Sequence, residues 1–190
     1  MMLHNPKGQY GYLKRQRIKE VIKAVILFAL SLSLYFGGKI ATGSNKNLLT
    51  IVAVCGMLPA SQCAVHAIMF FRAKSCSESV YEKATKTAGG LAARCDLFLT
   101  SEKKNFQISH VVMKQKNLIG FTEDVHFDES ACYEHLKLMF MKNGIKDITV
   151  KIFTDLEKYL ERVASLRQSE MGDSPALQED VLKLLEDLSL

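Results

Sequence analysis

The sequence predicts a two-helix transmembrane hairpin followed by an α/β domain with a mixed sheet. Two long apolar runs lie close together within residues 21–71. After them, stretches of alternating apolar and polar residues, typical of strands, are interspersed with stretches of helical periodicity. The 5 cysteines form no CxxC pair, which favours a reducing compartment over a disulfide framework.

The two apolar runs have the length of membrane-spanning helices. A helix needs roughly 20 apolar residues to cross a hydrocarbon core of about 30 Å. The run at 48–71 has that length by itself, and the run at 21–41 has it when Lys23 and Lys39 extend towards the interfaces. The polar turn between them is too short to hold a domain. A cleaved signal peptide is the alternative for the first run, and the second run argues against cleavage.

Basic residues flank the hairpin on both outer sides and are sparse in its turn. The positive-inside rule therefore predicts that both termini are cytoplasmic and that the turn lies outside. The basic arm of residues 1–20 includes Lys14, Arg15, Arg17 and Lys19. We interpret this cluster either as a contact for anionic lipid headgroups or as a topology signal and nothing more.

The second apolar run carries polar residues in its latter half. Gln62 and His66 are four residues apart and share a helix face. Such an intramembrane polar face marks an ion path, or it packs the helix on its partner helix or on a second copy. Neither span contains an acidic residue, which argues against a transport path.

Residues 75–167 predict a domain with the element order helix, three strands, helix, strand, helix. Strands are expected at 95–100, 106–114, 118–123 and 147–153. Helices are expected at 76–93, between the N-cap Asp128 and a stop at Gly144, and from a capping box at Thr154. Strict alternation in the second strand places Phe106, Ile108, His110 and Val112 on one face. Ser75 and Glu78 form a capping-box pattern that predicts the start of the first helix.

The last segment, residues 168–190, predicts a linker and an acidic amphipathic helix. Ser174 and Pro175 are a favourable N-cap and first helical residue. An apolar stripe on this helix would either dock on its own domain or bind a second copy or another protein.

The segment QISHVVMKQKNLIGFTED, residues 107–124, resembles the central segment of the nuclease-related domain (NERD) family. In that family an Ile-Asp-His-Val-Val strand turns into an apolar strand ending in Glu-x-Lys. Ile108, His110 and the two valines after it match the first strand, and residues 118–121 match the second. The αβββαβ order of the domain is also the core order of the restriction-endonuclease-like fold. The resemblance therefore implies that fold and a bacterial source.

The resemblance also implies that the catalytic site is vacant. In such nucleases the Asp and the Glu bind a divalent metal, and the Lys orients the attacking water. The corresponding residues here are Ser109, Thr122 and Asp124. A hydroxyl is a poor Mg²⁺ ligand, and a carboxylate cannot replace the lysine. No catalytic residue, metal or other cofactor is therefore expected.

A displaced metal site is the alternative to a vacant one. Asp96, Glu123 and Asp124 would supply its carboxylates, with Lys114 or Lys116 nearby. The simpler interpretation is that Asp96 lies at a strand edge and that Glu123 belongs to a solvated turn. A zinc site at His126, Cys132 and His135 is a weaker possibility, because Cys132 belongs to the apolar stripe of its helix.

Together these features predict a multi-pass protein of the bacterial cell membrane. The expected function is that of a membrane-anchored, non-enzymatic interaction or assembly module with the lipid bilayer as a partner. One alternative is a metal-dependent nuclease with a displaced active site, and another is a small subunit of a membrane complex that acts through its hairpin. Nucleic-acid binding is not expected, because acidic residues interleave the lysines and no aromatic platform is present.

Overall fold

The computed structural model describes residues 7–44, 46–101, 104–169 and 175–190. The chain divides into a helical unit, residues 13–73, and an α/β unit that combines residues 7–12 with residues 74–190. Part of the predicted basic arm, most of the predicted linker and the predicted N-cap Ser174 lie outside the described residues.

The helical unit consists of two helices that are long and apolar enough to cross a membrane. They are α1 (Tyr12–Thr42) and α2 (Leu48–Arg72). The start of α2 is stabilised by Asn47, whose side chain accepts a hydrogen bond from Thr50 N. α1 begins well before the expected residue 21, because the basic arm contains good helix formers and nothing that breaks a helix after Tyr12. The basic residues from Lys14 onwards therefore lie on the first turns of α1.

Small residues form the contact between α1 and α2 and recur every seven positions. They are Ala24, Ser31 and Gly38 on α1 and Ala53, Ala60 and Ala67 on α2. This spacing keeps the contact on one side of each helix, and small side chains let the backbones approach closely. A Cβ atom at Gly56 would lie only 2.7 Å from Ser31 Oγ. The large apolar side chains are exposed on the outer surfaces, as on helices that face lipid.

The α/β unit is built on a four-stranded mixed sheet, as the sequence predicts. The strands are β1 (Ala92–Leu99), β2 (Phe106–Lys114), β3 (Asn117–Phe121) and β4 (Thr149–Phe153), in the spatial order β1-β2-β3-β4. The first three form an antiparallel meander, and β4 is parallel to β3. A parallel neighbour needs a crossover connection. It is provided here by α4 (Glu129–Lys142).

Helices cover both faces of this sheet. The remaining ones are α3 (Glu78–Ala88), α5 (Leu156–Gln168) and α6 (Pro175–Leu188). Leu136 of α4 and Leu182 of α6 belong to one buried cluster with the sheet. Val80 of α3 and Tyr159 of α5 belong to a second cluster on the opposite face.

The alternation predicted for β2 is wrong, because the strand switches faces in its middle. Phe106 and Ile108 lie in the cluster with α4 and α6, but Val112 lies in the cluster with α3 and α5. The switch occurs at Ser109 of β2 and Asp96 of β1, which lie between the register pairs Cys95–His110 and Leu97–Ile108. Asp96 has φ +53°, in the left-handed region, which interrupts the pleat of β1 and of its neighbour.

Several elements end at residues other than those expected. Ser77, not Ser75, is the N-cap of α3, and Gly89 ends that helix in a left-handed conformation. Asp155 caps α5, with its carboxylate accepting from the amides of the first helical turn. Asp147 has φ +60°, so β4 begins after it.

The C-terminal helix docks on its own domain, so its apolar stripe is not free for a partner. Three of its residues are fully buried: Val181, Leu182 and Leu185. Arg94 of β1 pairs with Glu179 at 2.8 Å and with Glu186. Leu190 N donates to Phe98 O at 3.1 Å, so the end of the chain covers the outer edge of β1. The α/β unit therefore extends beyond residues 75–167.

Candidate functional site

The candidate site surrounds Asp96, at the point where β1 is interrupted. This carboxylate is only 1% exposed, and three donors of the described residues bind it. The donors are Ser75 Oγ at 2.6 Å, Cys76 N at 2.6 Å and Gly11 N at 2.7 Å. Bonds to an ionised acceptor are the stronger kind, and they stabilise the left-handed conformation that aspartate tolerates better than most residues.

Glu123 is the second acid of the site. Its Oε2 accepts a hydrogen bond from Ser77 N at 2.9 Å. Because the Ser77 side chain makes no capping bond, the Glu123 carboxylate supplies the negative charge that a helix N-terminus favours. It also lies beside Cys76: burial, then Glu123 and Asp96, raise the pKa of this thiol well above its ordinary value. Cys76 is therefore protonated at neutral pH and is a poor nucleophile.

Two of the three residues expected at a vacant nuclease site lie side by side. The last register pair of β2 and β3 is His110 with Phe121; Ser109 precedes the first of these residues, Thr122 follows the second, and both are buried. Ser109 Oγ accepts from Glu123 N at 3.3 Å, and Thr122 Oγ1 accepts from Asp124 N at 3.1 Å. Asp124 is exposed, and its carboxylate accepts from His126 N at 3.0 Å within the same turn. These side chains stabilise the loop that carries Glu123.

Lys114 lies apart from the two acids. It is at the far end of β2, about 16 Å from Ser109 at 3.3 Å per residue. Its Nζ donates to Arg167 O at 3.3 Å and to Ser169 O at 2.8 Å, at the C-terminal end of α5. The structure thus brings Asp96 and Glu123 together without Lys114. Within the described residues, no three His, Cys, Asp or Glu side chains are arranged to hold a metal ion.

The acids bind the two segments that precede α1 and follow α2 in the chain. Gly11 lies directly before α1, and residues 74–77 follow α2. Gln107 adds two further bonds to the second segment, accepting from Lys74 N at 3.1 Å and donating to Lys74 O at 2.7 Å. The sequence does not reveal these long-range bonds. Its only signal is the pair of glycines in GQYGY, at positive φ in the structure.

A cavity of about 520 Å³ lies beside this site in the α/β unit. His110 lines it, and its Nδ1 is 2.6 Å from the hydroxyl of Tyr159. Burial lowers the pKa of His110 to about 4 and raises the pKa of Tyr159, so both are neutral at pH 7. The rings of Tyr10 and Tyr81 stack at 4.3 Å along the cavity wall.

Of the three residues of the zinc hypothesis, His126 is exposed in the loop before α4, and Cys132 and His135 pack against the core of the α/β unit. Cys132 is fully buried in the core formed with α4 and α6. The His135 ring packs against Phe106 at a centroid distance of 5.8 Å.

The predicted polar face of α2 is exposed, and the basic residues of α1 differ in their surroundings. Gln62 and His66 are exposed on the side of α2 that faces away from α1. Lys14, Arg15 and Lys19 are also exposed. Arg17 instead donates to Phe70 O at 3.0 Å and to Ala73 O at 2.7 Å, which satisfies carbonyls at the end of α2.

Comparison with protein-family models, with curated proteins and with solved structures finds no match for this chain.

Proposed function

We propose that this chain is a membrane-anchored, non-enzymatic interaction or assembly module whose α/β unit is a degenerate relative of the nuclease-like fold. The observation that carries the proposal is the use of Asp96 and Glu123. Both carboxylates accept backbone N–H groups of the chain around α3, and Asp96 also binds the segment that precedes α1. They act as structural acceptors within the α/β unit.

The order of the elements supports a nuclease-like ancestry. α3, the three-stranded meander, α4 and the parallel strand β4 follow one another in the order on which the resemblance rests. Ser109 and Thr122 lie side by side, as two residues of one vacant site would. Both hydroxyls accept backbone N–H groups.

The membrane part of the proposal rests on the length and apolar surface of α1 and α2. The flanking basic residues support cytoplasmic termini by the positive-inside rule. The resemblance to the nuclease-related domain family supports a bacterial cell membrane. Lys14, Arg15 and Lys19 remain exposed and would attract anionic lipid headgroups. Arg17 contributes less, because it is bound to the end of α2.

One observation favours the alternative, a nuclease with a displaced site: Asp96 and Glu123 do approach the same backbone segment. A catalytic metal needs carboxylate oxygens that are accessible to the ion and to water. Asp96 is 1% exposed and already accepts three donors.

The test is a cleavage assay on the full chain in detergent micelles, with plasmid and single-stranded DNA in the presence of Mg²⁺ or Mn²⁺. We expect no metal-dependent cleavage that changes in the Asp96→Asn or Glu123→Gln variant. Glu161→Gln is the matched control, because Glu161 is an exposed acid on α5, outside the loop that carries Glu123. Cleavage that is lost in the first two variants and retained in the control would establish the nuclease and refute the proposal.

A further inference from the structure

Four side chains form a straight stripe along the outer face of α2. Cys55, Pro59, Gln62 and His66 are all exposed, and their spacing of four, three and four residues is that of a coiled-coil contact line. At about 100° per residue, the stripe lies roughly 130° around the helix from the alanines that contact α1. The stripe therefore belongs to a surface that the hairpin itself does not cover.

The central residue of the stripe is unfavourable in lipid without a partner. Gln62 lies about 15 Å from the Arg72 end of α2 at 1.5 Å per residue, near the middle of a hydrocarbon core of about 30 Å. The amide exposes two donors and one acceptor, and His66 one turn later exposes ring nitrogens. Neither side chain forms a hydrogen bond within the described part of the hairpin. Hydrocarbon offers no replacement, so a polar partner must come from outside the hairpin.

We propose that the stripe binds the same stripe of a second copy of this chain, with the two α2 helices parallel across a two-fold axis along the membrane normal. The inference rests on the proposed function, since it requires α2 to be surrounded by lipid. A second copy is the expected partner because the polar groups of the stripe are complementary to themselves. A glutamine amide both donates and accepts, so Gln62 of each copy pairs reciprocally with that of the other at the same depth. A neutral His66 ring also has one donor and one acceptor nitrogen.

The native cysteine of the stripe provides the measurement. Cys55 lies seven residues from Gln62 on the same face, so two-fold pairing places the two Cys55 thiols opposite each other. In a Cys63→Ser background the remaining cysteines, Cys76, Cys95 and Cys132, are buried. The full chain is reconstituted into phosphatidylcholine vesicles, oxidised with copper phenanthroline and analysed by denaturing, non-reducing gel electrophoresis.

We expect a disulfide-linked dimer through Cys55 that becomes much weaker in the Gln62→Leu, His66→Leu double variant. Loss of one hydrogen bond in the membrane weakens the dimerisation constant about threefold, so loss of the two reciprocal Gln62 bonds should weaken it about tenfold. Ser61→Leu is the matched control. Ser61 is an exposed polar residue on another face, and its hydroxyl is bound to Leu58 O at 2.8 Å. This control should cross-link like the parent protein.

A second control measures random collision. Val54→Cys combined with Cys55→Ser moves the thiol to a position that is 62% exposed at nearly the same depth, about 100° around the helix. Equal cross-linking at Val54→Cys and at Cys55 would overturn the proposal, as would cross-linking that is unchanged in the double leucine variant. Absence of a Cys55 dimer would also overturn it.

Extraction with alkaline carbonate, carried out on the same vesicles, separates this inference from the function on which it rests. Protein that remains in the membrane but does not cross-link refutes self-association and leaves the membrane anchor intact. Protein that is released into the supernatant refutes the anchor itself. The double leucine variant is more apolar than the parent, so it should remain in the membrane fraction.

Discussion

Asp96→Asn distinguishes a structural carboxylate from one that is available for chemistry. Asparagine has nearly the same shape as aspartate and tolerates the left-handed backbone conformation with φ +53°. The substitution therefore changes hydrogen bonding with little additional backbone strain. Oδ2 accepts from Gly11 N and Ser75 Oγ, and Oδ1 accepts from Cys76 N. The asparagine oxygen can accept the donors at only one of these two positions, and the NH₂ group at the other position then faces a donor.

The expected loss of stability follows from these contacts. A hydrogen bond to a charged group contributes about 1.5–3 kcal/mol, and a buried donor left without an acceptor adds a further penalty. At a residue that is 1% exposed, solvent cannot compensate. We therefore expect Asp96→Asn to lower the free energy of unfolding of the α/β unit by about 3 kcal/mol, a large part of the 5–15 kcal/mol typical of a domain.

The assay uses the buried thiols as reporters. In a Cys55→Ser, Cys63→Ser background of the full chain in detergent, the remaining cysteines are buried and react with a thiol reagent when the α/β unit opens. Labelling at increasing urea concentration gives a midpoint for each variant. Asp124→Asn, at an exposed position, is the control and should change the free energy of unfolding by less than about 0.5 kcal/mol. An Asp96→Asn midpoint equal to that of this control would refute the structural role of Asp96.

Three further perturbations test the buried His110, the contact between α1 and α2, and the ion pairs of Arg94. Burial lowers the pKa of His110 from 6.5 to about 4. The stability that the α/β unit gains from the neutral ring is therefore complete above pH 6.5 and is lost as the pH falls towards 4. The free energy of unfolding from urea titrations should fall by about 2 kcal/mol between about pH 7 and about pH 5. The His110→Leu variant should lack that part of the pH dependence. Ala60→Leu overpacks the contact between α1 and α2 and should lower the melting temperature of the helical unit, measured by circular dichroism, while Val54→Leu on the outer face should not. Arg94→Ala removes the pairs with the glutamates of α6 and should speed proteolysis within that helix, compared with the exposed control Lys183→Ala.

Local patterns in the sequence predict most of the elements and miss the contacts that join them. The bounds of β2, the cap at Asp128 and the span of α2 follow from alternation, capping chemistry and apolar length. The face switch in β2 does not follow, because it depends on the left-handed Asp96 of the neighbouring strand. Ser75 fits a capping box in sequence, but its hydroxyl binds Asp96 across the fold. A pattern within a few residues cannot reveal that competition.

The candidate site shows the same division. The residue types at Ser109 and Thr122 are visible in the sequence, and so is the isolated acid Asp96. The proximity of Asp96 and Glu123, and the distance of Lys114 from both, depend on sheet register and loop path. For the same reason the binding of residues 7–12 to β1, through Gly8 O and Cys95 N at 2.7 Å, was not predictable from composition.

In the proposed arrangement, α1 and α2 span a membrane and the α/β unit lies on the cytoplasmic side. Single cysteines at Ser44, in the turn, and at Lys74, after α2, test it most directly, since both positions are exposed. In intact cells that express the chain without its other exposed cysteines, a membrane-impermeant maleimide should label Ser44→Cys. It should label Lys74→Cys only after the membrane is permeabilised. Labelling of both positions from the same side would show that α2 does not cross the membrane.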